Sequence, residues 1–170
     1  MYNDRPKIKV PYESVDYVLE LACIALLIMM WAYTFVEYTT LPDIIPTHFN
    51  SAGIADDYGS KSTIFIIPVI GSLVYFLLFL LNLYPHIHNY SVNITPENAL
   101  KNYRFSTRFL RTVNVLMCLL FAYITYTIVE SATASQNDIG TFFLPVVIGI
   151  SVLLPVSGLY YQNKINRTKK

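Results

Sequence analysis

Residues Leu41–Lys61 read LPDIIPTHFNSAGIADDYGSK, a polar island between two long apolar runs. Pro42 and Pro46 forbid a regular helix across its first half, because each fixes φ and lacks an amide proton. Gly53 and Gly59 mark the expected turns, since glycine takes positive φ without steric cost. Such a stretch cannot lie in hydrocarbon, where every backbone polar group needs an internal partner. Its Ile, Phe and Tyr content separates it from a flexible linker, so 39–61 reads as an ordered loop in water at the helix ends.

On either side, the apolar runs set the class. The chain is 54% hydrophobic and 14% charged, whereas a soluble domain carries about a quarter charged residues. Four runs, at about 17–38, 62–84, 108–129 and 140–162, reach the roughly 20 residues that a bilayer crossing needs. The expected fold is all-α: one polytopic membrane domain over 1–170, a bundle of four transmembrane helices with an ordered outer loop. The connection 85–107 is expected to carry an amphipathic helix. Every Lys and Arg except Lys61 falls in the N-terminal arm, in that connection or its junction with the third span, or in the C-terminal tail. Both termini are therefore expected in the cytoplasm and 41–61 outside.

Polar residues inside the spans recur at helical spacing. Glu20, Cys23, Met30, Thr34 and Glu37 share a face of the first span, and Arg111, Asn114, Cys118 and Thr125 share one of the third. Such stripes face other helices, and intramembrane ionisable groups are costly enough to suggest a buried site. Glu20 and Arg111 lie at equal depth, which predicts a contact, with Arg108 as the substitute partner. Pro68 predicts a kink in the second span, and Pro145 and Pro155 a bent fourth. Thr95-Pro96-Glu97 reads as the start of the amphipathic helix. Its Arg104 and Arg108 would meet lipid head groups at the inner leaflet.

The outer side gathers Glu37, Asp43, Asp56, Asp57, Glu130 and Asp138 against Lys61 alone, with His48 its one histidine. Lys61 is expected to anchor the loop, most directly on Glu37 by depth, with Asp43 or the Asp56-Asp57 pair as alternatives. His48 is expected to brace the loop by a hydrogen bond beneath a Pro-fixed turn. Neither this set nor His86 and His88 matches a metal-ligand spacing, so no metal and no cofactor is assigned.

Leu41-Pro42, Ile45-Pro46-Thr47-His48, Gly53, Ser60-Lys61 and Ile67-Pro68 together form a pattern that resembles the DUF1648 family of bacterial multi-spanning membrane proteins. The resemblance covers about thirty residues. It implies a cytoplasmic-membrane location. Longer relatives add a second membrane segment and include immunity proteins against secreted peptide toxins, some of which relay a signal to a repressor. That second segment is not recognised here. The expected function is non-enzymatic: sensing or binding an extracellular peptide or small ligand through 41–61. A small transporter using Glu20 and Glu37 is one alternative, and a membrane hydrolase using His48 and outer carboxylates is another. The bilayer is the expected partner, with a homo-oligomer possible and nothing that points to nucleic acid.

Overall fold

The computed structural model describes residues 5–133, 140 and 143–167. Four long helices, α1 (Ser14–Tyr38), α2 (Ile66–Asn82), α3 (Ala99–Thr133) and α4 (Phe143–Asn166), run alternately up and down. α1, α3 and α4, and α2 taken together with the 3-10 turn that precedes it (Lys61–Asn82), are each long and apolar enough to cross a membrane. Asp138, most of the third loop, Lys169 and Lys170 lie outside the described residues.

The bundle is polar inside and apolar outside. Asp16, Thr34, Asn82, Asn102, Thr107, Arg111, Asn114 and Thr125 are buried, while Val18, Leu21, Ile28, Phe76, Leu77 and Leu153 are exposed. Water would drive the reverse arrangement, but lipid tails satisfy apolar side chains, leaving polar groups to find partners between helices. Trp31 of α1 donates its indole N–H to Ser72 Oγ of α2 at 3.0 Å, and Asn82 Nδ2 donates to the Thr107 carbonyl of α3 at 3.2 Å. At the crossing of α1, α2 and α3, a Cβ on Gly71 would stand 3.2 Å from both Met30 and Phe121.

Between α1 and α2, residues 41–61 form an antiparallel hairpin, β1 (Ile44–Phe49) and β2 (Ala55–Ser60). The prolines exclude helix, and an extended chain completes its hydrogen bonds by pairing with itself. At the tip, Asn50 Oδ1 accepts from the amides of Ala52 and Ile54, and Gly53 takes φ 79°. Gly59 is not a turn residue: it sits in β2 opposite Ile45, where an added Cβ would lie 3.0 Å from the Thr47 methyl. The hairpin rests on the bundle through Leu41, Ile45, Ile64, Ile128 and Val129, which form one buried cluster.

Pro68 does not kink the interior of α2. It falls in the first turn, where the amide that proline lacks has no acceptor within the helix, and the break is instead a 3-10 turn over Lys61–Phe65. Likewise α3 begins at Ala99, after a turn in which Asn98 Oδ1 accepts from the Thr95 amide at 2.9 Å.

At the end opposite the hairpin, the basic end, the arm and connection cover the bundle. Arg5 donates to the carbonyls of His86 and His88 at 3.2 and 2.7 Å, and the Tyr103 hydroxyl donates to Pro6 O at 3.0 Å. His88 is buried, with Nδ1 on Ser106 Oγ and Nε2 on the Leu81 carbonyl, so the His-x-His pair does not converge. Burial pushes the His88 imidazole below its ordinary range, opposed by its bond to Leu81 O and assisted by neighbouring His86.

Two outcomes follow for stability in detergent. Gly71→Leu should cost about 1–3 kcal/mol by overpacking the crossing, whereas Gly149→Leu, with nothing within 4 Å of its added Cβ, should change little; thermal unfolding compares them. A histidine depressed in the folded state contributes fully above its unfolded pKa, about 6.5, and loses that contribution as pH falls through the folded value. Melting temperature should thus drop as pH falls below about 6.5, and His88→Asn should flatten that part of the profile.

Candidate functional site

The hairpin roofs a cleft of about 250 Å³. Its rim comes from Thr47, His48, Asn50 and neighbouring tip residues, and its floor from Ile67 of α2, Ile124 and Ile128 of α3, and Phe143 and Leu144 of α4. Carbonyls, hydroxyls and an imidazole at the mouth over an aliphatic and aromatic base make a concave site of the kind that holds an apolar group and orients its polar end.

His48 Nδ1 meets Asp56 Oδ1 across the strands. The side chains are 65% and 43% exposed, so His48 is not braced beneath a turn: the bulge at Pro46/His48 turns it outward on the rim. Lys61 Nζ lies 3.3 Å from Asp43 Oδ1 and donates to the Leu41 carbonyl at 3.4 Å. It also stands 5.5 Å from the Tyr38 ring centre. Its partner is therefore Asp43 and not Glu37, because the backbone bond from Lys61 N to Asp43 O already closes the neck of the hairpin there. Glu37 instead accepts from the Thr40 hydroxyl at 3.3 Å. Asp57 accepts from the Tyr58 amide at 2.9 Å and is otherwise exposed.

The intramembrane candidates gather at the other end. Arg111 Nε donates to Glu20 Oε1 at 2.9 Å, and its Nη1 to Asp16 Oδ1 at 3.3 Å. Arg108 binds Asp16 and Glu13, and Arg104 binds Glu13 at 3.2 Å. The Arg111 guanidinium also lies 4.3 Å from the Tyr12 ring centre. Asn114 Nδ2 donates to the Tyr75 carbonyl at 3.3 Å, tying α3 to α2. Glu13, Asp16 and Tyr12 were not among the residues singled out from the sequence. A signal existed: Glu13, Asp16 and Glu20 repeat at three and four, as do Arg104, Arg108 and Arg111, so the two stripes mesh when α1 and α3 run parallel.

Among the described residues, no three of His, Cys, Asp and Glu are grouped to hold a metal ion. Cys23 and Cys118 are buried free thiols.

Four apolar helices enclosing a polar seam define a multi-pass α-helical membrane protein. Residues 25–71 match the family model of DUF1648, a domain of unknown function. The match runs from α1 through the hairpin into α2, so the matched stretch is the cleft's roof with parts of its two supports. The chain is also similar to an uncharacterized protein of Archaeoglobus fulgidus, 26% identical over 156 residues, covering 84% of this chain and 83% of that one. No solved structure matches.

Lys61 is partly buried while Asp43 is almost fully exposed, so the ion pair itself is worth little and the contacts to Leu41 O and Tyr38 matter more. Lys61→Met should raise the rate of proteolysis within the hairpin by about fivefold, equivalent to about 1 kcal/mol. Lys164→Met at the opposite end should leave hairpin cleavage unchanged.

Proposed function

We propose that the chain is a non-enzymatic binding protein of the cytoplasmic membrane, with both termini inside, which takes an extracellular ligand in the cleft between hairpin and bundle. The observation that carries this reading is the cleft itself: an apolar floor built by three helices, a polar rim supplied by the hairpin. At about 250 Å³ it is smaller than a typical drug-sized site, about 300–1,000 Å³. It suits one apolar side chain of a peptide, or the tail of a small amphiphile. The orientation rests on the excess of Lys and Arg at the end away from the hairpin.

A transport path joining Glu20 and Glu37 has less support, since the two lie at opposite ends and each is held locally. The His48–Asp56 pair at the rim favours a second reading, in which the aspartate orients the imidazole as a general base. Its exposure to bulk water makes recognition the stronger of the two.

The test labels Ser51→Cys with an environment-sensitive fluorophore in nanodiscs and titrates a panel of N-acetylated dipeptides with apolar C-terminal residues. A saturable response should appear, weakened about tenfold or more, about 1.4 kcal/mol, by Leu144→Trp, which fills the floor. Cleavage of the dipeptides that vanishes in His48→Ala would favour the second reading. No response, or one indifferent to Leu144→Trp, would overturn binding at this cleft. In intact cells, an impermeant thiol reagent should reach Ser51→Cys and not Asn163→Cys.

A further inference from the structure

We propose that the seam between α3 and α4 at the basic end binds an anionic phospholipid, its phosphate held by Lys101, Arg104 and Arg108 and one acyl chain laid in the adjoining apolar cleft. Two hollows meet there. One, of about 400 Å³, is lined by Lys101, Arg104, Arg108, Phe105, Thr112 and Ile165, so its charged lining is wholly basic. The other, of about 290 Å³, is lined by aliphatic and aromatic side chains of α3 and α4, with Ser151 its sole hydroxyl. Phe109 belongs to both, so the hollows share a wall and run on from one another.

Their dimensions match one leaflet. The apolar hollow follows α3 from Phe109 to Leu120, about 16 Å at 1.5 Å per residue. Half of a hydrocarbon core is about 15 Å. The basic hollow therefore sits where a head group sits, and the apolar one where its tail sits. A soluble phosphate would use the first and leave the second empty, which is why the occupant is a lipid.

The charges agree once the acids are placed. Glu13, Asp16 and Glu20 approach Arg104, Arg108 and Arg111 from the α1 side. These three acids offset the three arginines one for one. Among the described residues, Arg5, Lys7, Lys9, Lys101, Lys164 and Arg167 then remain against Glu97 alone, so this end keeps a basic excess, with Lys101 bonded to the Ile165 carbonyl at 3.1 Å. The Arg104 side chain is 37% exposed, with Nη1 on Glu13, and near a membrane surface each Lys or Arg contributes about 1 kcal/mol toward anionic lipid.

Native mass spectrometry of the full chain, exchanged from detergent into mixed micelles with equal phosphatidylglycerol and phosphatidylcholine, reads the proposal directly. Phosphatidylglycerol should be retained in preference by at least about fivefold, the factor for one cation. Lys101→Gln/Arg104→Gln should bring the ratio close to one, with helical circular dichroism retained. Ser151→Trp leaves every cation in place and fills the tail cleft, so it should lower retention of the lipid; it also keeps the test decisive if the double variant does not fold. Equal retention of the two lipids would overturn the proposal. So would displacement of the lipid by an equal concentration of glycerol phosphate, retention unchanged in Ser151→Trp, or a lipid-free dimer that occupies the seam.

Discussion

The charges of Asp16, Glu20 and Arg111 lie between α1 and α3, with side chains 4%, 13% and 6% exposed. An isolated charge at that depth is costly, and its cost falls when donors and acceptors are matched. Here one guanidinium serves two carboxylates while Arg108 closes the remaining side of Asp16. The same aspartate also accepts from the Glu13 amide at 2.9 Å, so it caps α1 as well as joining it to α3. That dual role fixes where α1 begins, its rotation, and its height against α3. Loss of one partner would strand a buried charge, which typically costs about 3–5 kcal/mol.

With α1 held at one end, the hairpin determines how α1 and α2 meet at the other. Its neck is closed by the backbone bond from Lys61 to Asp43 and by the side chain of Lys61. Ile45 carries the apolar load, inserted among Leu41, Ile64, Ile128 and Val129. The cleft exists because β1 leans on α3 while the tip extends past it, leaving a space that Phe143 and Leu144 finish. The family match covers this roof and parts of its supports; the cation–carboxylate cluster at the other end lies wholly outside it.

The four spans and their class were legible because uninterrupted apolar runs admit few alternatives. Equal depth pairs Glu20 with Arg111, and the structure has them 2.9 Å apart. Depth alone misled for Lys61, since Glu37 and Asp43 lie at similar heights and the choice between them depends on hairpin register. That register was not legible: Ala55–Ser60, ADDYGS, is poor in β-branched residues, and it pairs because its neighbour and both flanking helices leave it little else. Asp16 escaped notice because it sits close to the N-terminal arm, where a carboxylate reads as solvated. Its burial depends on α3 being nearby, which a single helix face does not reveal. Pro68 reads as an interior kink when the second span is taken to start at Ser62, whereas the first five residues after the hairpin form a 3-10 turn.

α4 is fastened unevenly. At the basic end Gln162 accepts from Ser91, Asn166 and Asn102 exchange two bonds at 2.8 and 3.0 Å, and Gly158 lets Phe109 come close. Higher up, a Cβ added at Gly149 would meet nothing within 4 Å, and the far end rests on α3 through the stacked rings of Tyr123 and Phe143, their centres 5.6 Å apart. With these hydrogen bonds gathered at one membrane surface, that surface is the natural fulcrum for any tilt of the helix. Its 24 residues make it about 36 Å long, so a tilt of about 5° at the fulcrum swings the far end by about 3 Å. Phe143 and Leu144 ride on that end, so a small rotation on the opposite side of the bilayer would be felt at the floor of the cleft.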